Sequence, residues 1–353
     1  MRRHRLIPAL LAVLLAALAP ADVSARPGSV LVTDLGSLGG SATFALDIND
    51  ARQVTGNSRT TGGQLVAFLW QGGHLTELGS LPGGNGFSRG YAVSPDGVVV
   101  GESDNNRPRA FRWEDGVMTD VGTLPGGSTA VAHDVNGSGD TVGAASNGFA
   151  TRPFVAVDGS EPVDLGTLAG TPTSSGRAWA VNDRGDVAGL SRNVVDSTSE
   201  ATLWPAGTPG SAVSLGSLGE GLFSQAYALN NQRVAVGESS VLSGDGHAVV
   251  WPGAGSPVDL GTLGFRHSRA NDINERGEIV GHVGAFRGAP TSGGRAVLWR
   301  ANDAVDLNEL LPPGSPWVLH SAEGINDRGD VVGFGRLHGQ LRSFLLNVRV
   351  ARS

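Results

Sequence analysis

Short apolar runs separated by polar, glycine-rich breaks dominate this chain, and one arrangement of them recurs. An apolar residue, usually followed by Asn, leads into a polar turn and then a short apolar run that closes on Gly. The copies are DINDARQVTG (47–56), AVSPDGVVVG (92–101), DVNGSGDTVG (134–143), AVNDRGDVAG (180–189), ALNNQRVAVG (228–237), DINERGEIVG (272–281) and GINDRGDVVG (324–333). Their closing glycines lie 45, 42, 46, 48, 44 and 52 residues apart. That period is too long for one coil of a β-helix and fits the four-stranded blade of a propeller.

Each copy predicts two hairpins. Strands A and B flank the turn just described, where Asn, Asp, Ser and Gly supply the left-handed backbone angles of a tight tip. Strand C reads AFLW (67–70), AFRW (110–113), ATLW (201–204), AVVW (248–251) or AVLW (296–299), and strand D reads VDLGTL (163–168, 258–263). The recurring Trp shares a slot inside an apolar strand, which predicts blade-core packing. Strands A, B and C each occur seven times, but the first D copy, VLVTDLGSL (30–38), precedes every A strand and none follows the last C strand, SFLLNV (343–348). The expected fold is therefore all-β: a seven-bladed β-propeller closed by pairing of the N-terminal strand with the last blade, which removes the exposed edges of an open array.

These motifs resemble the extracellular repeats called HAF. The resemblance rests on the DLGTLGG-type connector, here DLGSLGG (34–40), on the IN-x-x-G-x-VVG hairpin, on the HAFLW-type strand met as VAFLW, RAFRW and HAVVW, and on a late LNELLPPGSPW stretch (307–317). It spans nearly all of the chain after residue 25, with His in the eponymous slot only at His247. The resemblance implies export and brings no activity and no catalytic residues.

The first 25 residues, with Arg2, Arg3 and Arg5 ahead of an apolar run and small residues at Ala21 and Ala25, read as a secretory signal peptide. Residues 26–353 then form a single propeller domain, secreted or periplasmic, with no membrane span after cleavage and expected to be a monomer. Cleavage after Ala25 leaves 23 basic and 32 acidic residues, a net charge of −9, which argues against nucleic acid as a partner. The 54 glycines suit short strands and tight turns rather than helices. There is no cysteine, hence no disulfide or thiolate metal site, and all 26 basic residues are arginine, so Schiff-base chemistry is excluded.

Several motifs imitate chemistry. Gly86-Phe87-Ser88-Arg89-Gly90 matches the G-x-S-x-G of serine hydrolases, but it falls in a connector between blades rather than on a strand-to-helix turn. The adhesion tripeptide Arg-Gly-Asp occurs twice, at 184–186 and 328–330, both times in the turn slot of the repeated hairpin. The Asn and Asp of the tips supply too few converging oxygens for a calcium loop, and no His pair has helical metal-ligand spacing. No cofactor is expected.

The variable B-to-C loops and the blade-to-blade connectors share one face, which is the expected functional face. Strand A is expected to line the central channel with the small residues Ala45, Gly90, Ala132, Ala178, Ala226, Ala270 and Ala322. The next position varies: Leu46, Tyr91, His133, Trp179, Tyr227, Asn271 and Glu323. One residue ahead of the small slot stand Arg89, Arg177 and Arg269 in three blades. Rings and guanidinium groups together suit an acidic saccharide, so Arg89, Tyr91, His133, Arg177, Trp179, Tyr227, Arg269, Asn271 and Glu323 are the candidate ligand-binding residues; packing between blades is the competing reading of the rings. The expected function is a non-enzymatic binding module for a saccharide or an envelope or extracellular protein. The alternative is a propeller glycosidase with Glu323, Asp272 or Asp134 at the channel mouth.

Overall fold

The computed structural model describes residues 30–104, 106–192, 198–208, 210–219, 223–253, 256–284, 293–300 and 303–349. The expected signal peptide lies outside them. Seven antiparallel sheets of four strands each follow one another along the chain. The A strands are Gly39–Ile48, Ser88–Val93, Ala130–Val135, Gly176–Val181, Ser224–Leu229, Ser268–Ile273 and Trp317–Ile325, in blades 1 to 7. Each A strand packs against the A strands of the neighbouring blades, so they form the inner ring. The protein is a seven-bladed β-propeller. Its seventh sheet completes itself with Val32–Asp34, which pairs antiparallel with Gln340–Asn347 through Val32 opposite Leu346 and Asp34 opposite Phe344.

The Asn of the repeated hairpin explains why that hairpin recurs. Asn182 accepts at Oδ1 from the N–H groups of Arg184 and Asp186, at 3.0 and 2.9 Å, which fixes its own turn. Its Nδ2 donates to Asn230 O of the next blade at 3.1 Å. The same donation runs from Asn136 to Asn182, Asn230 to Asn274, Asn274 to Asn326, Asn326 to Asn49 and Asn49 to Ser94. Ser94, the Asn equivalent of blade 2, has no amide with which to reach Asn136, so the belt has six links and one gap. Asn182→Ala removes an acceptor from two N–H groups and a donor from one carbonyl, and is expected to cost about 2–4 kcal/mol in a denaturant melt. Ser94→Asn is expected to close the belt and stabilise by about 1 kcal/mol in the same measurement.

The Arg-Gly-Asp triplets serve the same joints. Asp186 is fully buried and receives Arg233 of the next blade through two hydrogen bonds of 2.7 and 2.6 Å. Burial favours the neutral acid, yet Arg233, the Ala206 N–H and Asn182 hold the Asp186 carboxyl below the usual carboxylate range. Asp330 is 2 % exposed and bonds Asn326 and Asn347. An adhesion receptor reads an exposed aspartate, and neither triplet presents one.

Two expectations are corrected. The D strands are shorter than VDLGTL predicts: in blades 3 and 5 they pair over Val163–Asp164 and Val258–Asp259 only. Asp164 and Asp259 accept from the N–H of Gly166 and Gly261, whose φ values of 77° and 80° turn the chain out of the ladder. The small residues of strand A do not line the open channel. Ala45, Ala132, Ala178, Ala226, Ala270 and Ala322 are all 0 % exposed, buried in the seams. At Gly90 a Cβ would lie 2.3 Å from Thr55 Oγ1 of the preceding blade, which shows what keeps the slot small.

Candidate functional site

The ladder between strands A and B slips by one residue at the same place in all seven blades. In blade 2 Gly90 pairs with Gly101 and Ala92 with Val100, leaving Tyr91 as the extra residue of a β-bulge. The other six bulges eject Leu46, His133, Trp179, Tyr227, Asn271 and Glu323. The variable slot is therefore the bulged slot. A bulge frees its extra residue from the up-and-down alternation of the strand and re-aims its side chain.

From blade 2 to blade 6 the re-aimed side chains touch in sequence. Tyr91 meets His133 edge-on with ring centroids 5.9 Å apart, and His133 lies at a tilt of 31° and 4.1 Å from Trp179. Trp179 reaches Tyr227 at 6.0 Å, and the Arg269 guanidinium caps the Tyr227 ring at 3.8 Å. Beyond it, Asn271 Nδ2 donates to Ala322 O at 2.8 Å, and Ser321 donates to the Glu323 carboxylate. Burial pushes Glu323 above the usual range for a glutamate, against the opposing pull of Arg269 and Ser321. All of the bulged candidates thus belong to one ring around the axis, and the arc from Tyr91 to Arg269 is continuous.

The arginines sit one step toward the connector face. Arg89 shares Glu102 with Tyr91: Arg89 donates to Oε1 at 3.2 Å and the Tyr91 hydroxyl at 2.9 Å. Burial, with the nearby Glu102 charge, pushes the Tyr91 phenol up to about 12. Arg177 is exposed and pairs with no carboxylate among the described residues. His133 donates from Nδ1 to Ala178 O at 2.7 Å, and burial lowers it to about 4, so it is neutral at pH 7. Three polar atoms of this ring are buried without a partner: Trp179 Nε1, Arg269 Nε and Asn271 Oδ1.

Sequence reasoning passes over Glu102 and His282. Both follow the closing Gly of strand B and stand opposite an arginine of strand A, Glu102 opposite Arg89 and His282 opposite Arg269. The variability of that position after a recurrent glycine is the signal that finds them. Asp134 and Asp272, nominated above as acids, stand one residue past the bulges of blades 3 and 6, with Asp47 equivalent in blade 1. Each carboxylate bridges two N–H groups, one its own neighbour's and one in a following blade: Asp47 to Ile48 and Val93, Asp134 to Val135 and Val181, Asp272 to Ile273 and Ile325. The serine of the G-x-S-x-G stretch is likewise structural. Ser88 is 0 % exposed, donates to Gly79 O and accepts from Ala67 N at 2.9 Å, and so has no hydroxyl to offer a substrate.

No family model matches the chain, and no curated protein resembles it in sequence. Solved structures do resemble it in shape. An oligogalacturonate lyase in complex with manganese superposes with a TM-score of 0.58 at 13 % identity, over 91 % of this chain and 94 % of that one. The β-propeller domain of the trilobed protease from Pyrococcus furiosus, whose velcro topology is open, gives a TM-score of 0.54 at 10 % identity, over 87 % and 96 %. YCF48 bound to a D1 peptide gives 0.51 at 13 % identity, over 90 % and 95 %. At these identities the likeness establishes the propeller fold.

Proposed function

We propose that this propeller is an exported, non-enzymatic binding module that takes an acidic saccharide at the connector-face mouth of its channel. The observation that carries the reading is the bulged arc. In this reading the half-exposed rings of Tyr91, Trp179 and Tyr227 meet the apolar sides of sugars, and the exposed Arg177, with the Arg269 guanidinium that caps Tyr227, meets carboxylates and hydroxyls. A binding role is favoured over glycoside hydrolysis because Asp134 and Asp272 have both carboxylate oxygens occupied by backbone N–H groups, which leaves Glu323, of the three nominated acids, without the second carboxylate that hydrolysis needs. Export and membership among HAF-type repeats belong to the same reading, supported by the N-terminal composition and the recurrent connector and hairpin motifs.

The test is Arg177→Gln assayed by calorimetry against a mixture of oligogalacturonates, with neutral malto-oligosaccharides as control. Because Arg177 is exposed and makes no ion pair among the described residues, the melting temperature is expected to stay within about 1 °C of the parent. Affinity for the acidic sugars is expected to fall at least about tenfold, the worth of one charge-assisted hydrogen bond. Equal binding by parent and variant, or equal affinity for the neutral sugars, removes the assignment.

A further inference from the structure

A second recessed region opens on the same face, in the seam between blades 1 and 2. It is a pocket of about 360 Å³, within the range of about 300–1,000 Å³ typical of small-ligand clefts. The hairpin between strands Val54–Thr60 and Leu65–Gln71 contributes Arg59, Gln64 and Leu65, and the connector into blade 2 contributes Asn85, Phe87 and Arg89. Gly86, at φ 80°, makes the seam passable. A Cβ there would lie 2.5 Å from Gln64 Nε2, which instead crosses to donate to Asn85 O at 3.3 Å.

The lining has a consistent chemistry. Two arginines, Arg59 and Arg89, line the pocket, and among the described residues no carboxylate does. Arg59 is exposed, donates from one nitrogen to Gly63 O at 2.8 Å and pairs with no acid among the described residues, which leaves most of its N–H donors available. Arg89 lies 5.2 Å above the Phe87 ring and is held from behind by Glu102, the acid it shares with Tyr91. Arg89 is therefore common to the pocket and to the channel mouth, and a ligand that touches it from one side can continue to the other.

We propose that the blade 1–2 pocket is a second subsite, which binds the next uronate residue of an acidic oligosaccharide whose first residue occupies the channel mouth. This inference rests on the reading of the mouth as an acidic-saccharide site and adds that the ligand is an oligomer. Arg59 binds the carboxylate of the outer residue, the flat ring of Phe87 underlies its apolar face, and Gln64 supplies an amide to its hydroxyls. A carboxylate on an acidic peptide satisfies the arginines but has no use for the ring, which is why a sugar fits better.

Calorimetric titration of the full chain with galacturonate oligomers of one to six residues tests this. The parent is expected to gain at least about tenfold in affinity between the monomer and the trimer, and Arg59→Gln to lose that gain while keeping the parent's affinity for the monomer. Gln64→Ala, which leaves both guanidinium groups in place, is expected to lose a smaller part of it, and unchanged melting temperatures show that both variants fold. If the parent binds oligomers and Arg59→Gln binds every length equally well, the subsite is wrong and the mouth assignment stands. If the parent binds no oligomer at all, both fall. A hexaglutamate peptide that binds the parent more tightly than the galacturonate hexamer also overturns the assignment to sugar.

Discussion

Removal of residues 26–38 is expected to open the ring and drive the protein into aggregates. Only Val32–Asp34 of that segment sits in the ladder, but Val30 and Leu35, on either side, are 2 % and 3 % exposed and pack into the hydrophobic clusters of the seventh and first blades. Re-exposing two such side chains alone costs about 3–6 kcal/mol, comparable with the net stability of many domains. The deletion also strips the antiparallel partner from Gln340–Asn347 and leaves a long apolar edge, FLL, open to pairing with other chains. Light scattering and a thermal melt read the outcome. A truncated chain that stays monodisperse and melts at the parent temperature contradicts the closure. A milder check joins the same strands covalently: cysteines at Thr33 and Leu345, which stand opposite each other, are expected to form a disulfide within one chain.

The protein is also expected to resist unfolding better in weak acid than in weak base, and three aspartates are responsible. Burial raises Asp47 to about 6, and burial together with repulsion from the other channel aspartates raises Asp134 and Asp272 to about 7. In the unfolded chain the same groups titrate near 3.8. Between these limits the folded state binds protons that the unfolded state does not, so stability falls as pH rises toward 7 and the loss is complete above it. His133 and His282, lowered to about 4 and about 3, act in the opposite sense below pH 6.5, where the unfolded chain takes up their protons. Because the three aspartates outnumber the two histidines, the gain on acidification is expected to begin near pH 8 and to continue down to about pH 5.

Asp134→Asn isolates one of these groups. A shift of about three units is worth about 4 kcal/mol, and partial exposure on the inner strand reduces it to the order of 2. The stability of the variant relative to the parent is expected to be higher at pH 8 than at pH 5 by about two-thirds of that amount, the rest lying below pH 5, whatever the amide costs at both. A difference that does not change with pH shows that Asp134 is ionised throughout.

The blade count, the closure and the turn chemistry were all legible because they depend on local signals. Asn182 bonds residues two and four positions ahead, and a turn-forming Asn announces that in a single hairpin. Its other partner, Asn230, lies 48 residues on, and only the ring brings it within 3.1 Å. The same is true of Asp134 with Val181 and of Arg233 with Asp186, each 47 residues apart. The bulges were hidden for a different reason. In a six-residue strand such as Ala130–Val135, with apolar residues on both sides of the slip, apolar alternation reads equally well with or without an extra residue. The variable slot was visible as variation, but the direction of its side chains was not. The small slot was misread as channel lining for the same reason, since the bulge moves the channel-facing position one residue along.

The seven bulges have a consequence for how such a protein can change. A residue ejected from the ladder makes no demand on the register of the strands that flank it, so replacing Leu46 by Tyr or Tyr91 by His alters the rim without disturbing the pairing of Ala45 with Gly56 or Gly90 with Gly101. Duplication of a blade multiplies a rigid frame and, at one address per copy, an editable letter. Selection can then rewrite the rim one letter at a time, as a lock is rekeyed by changing single pins while its housing stays the same.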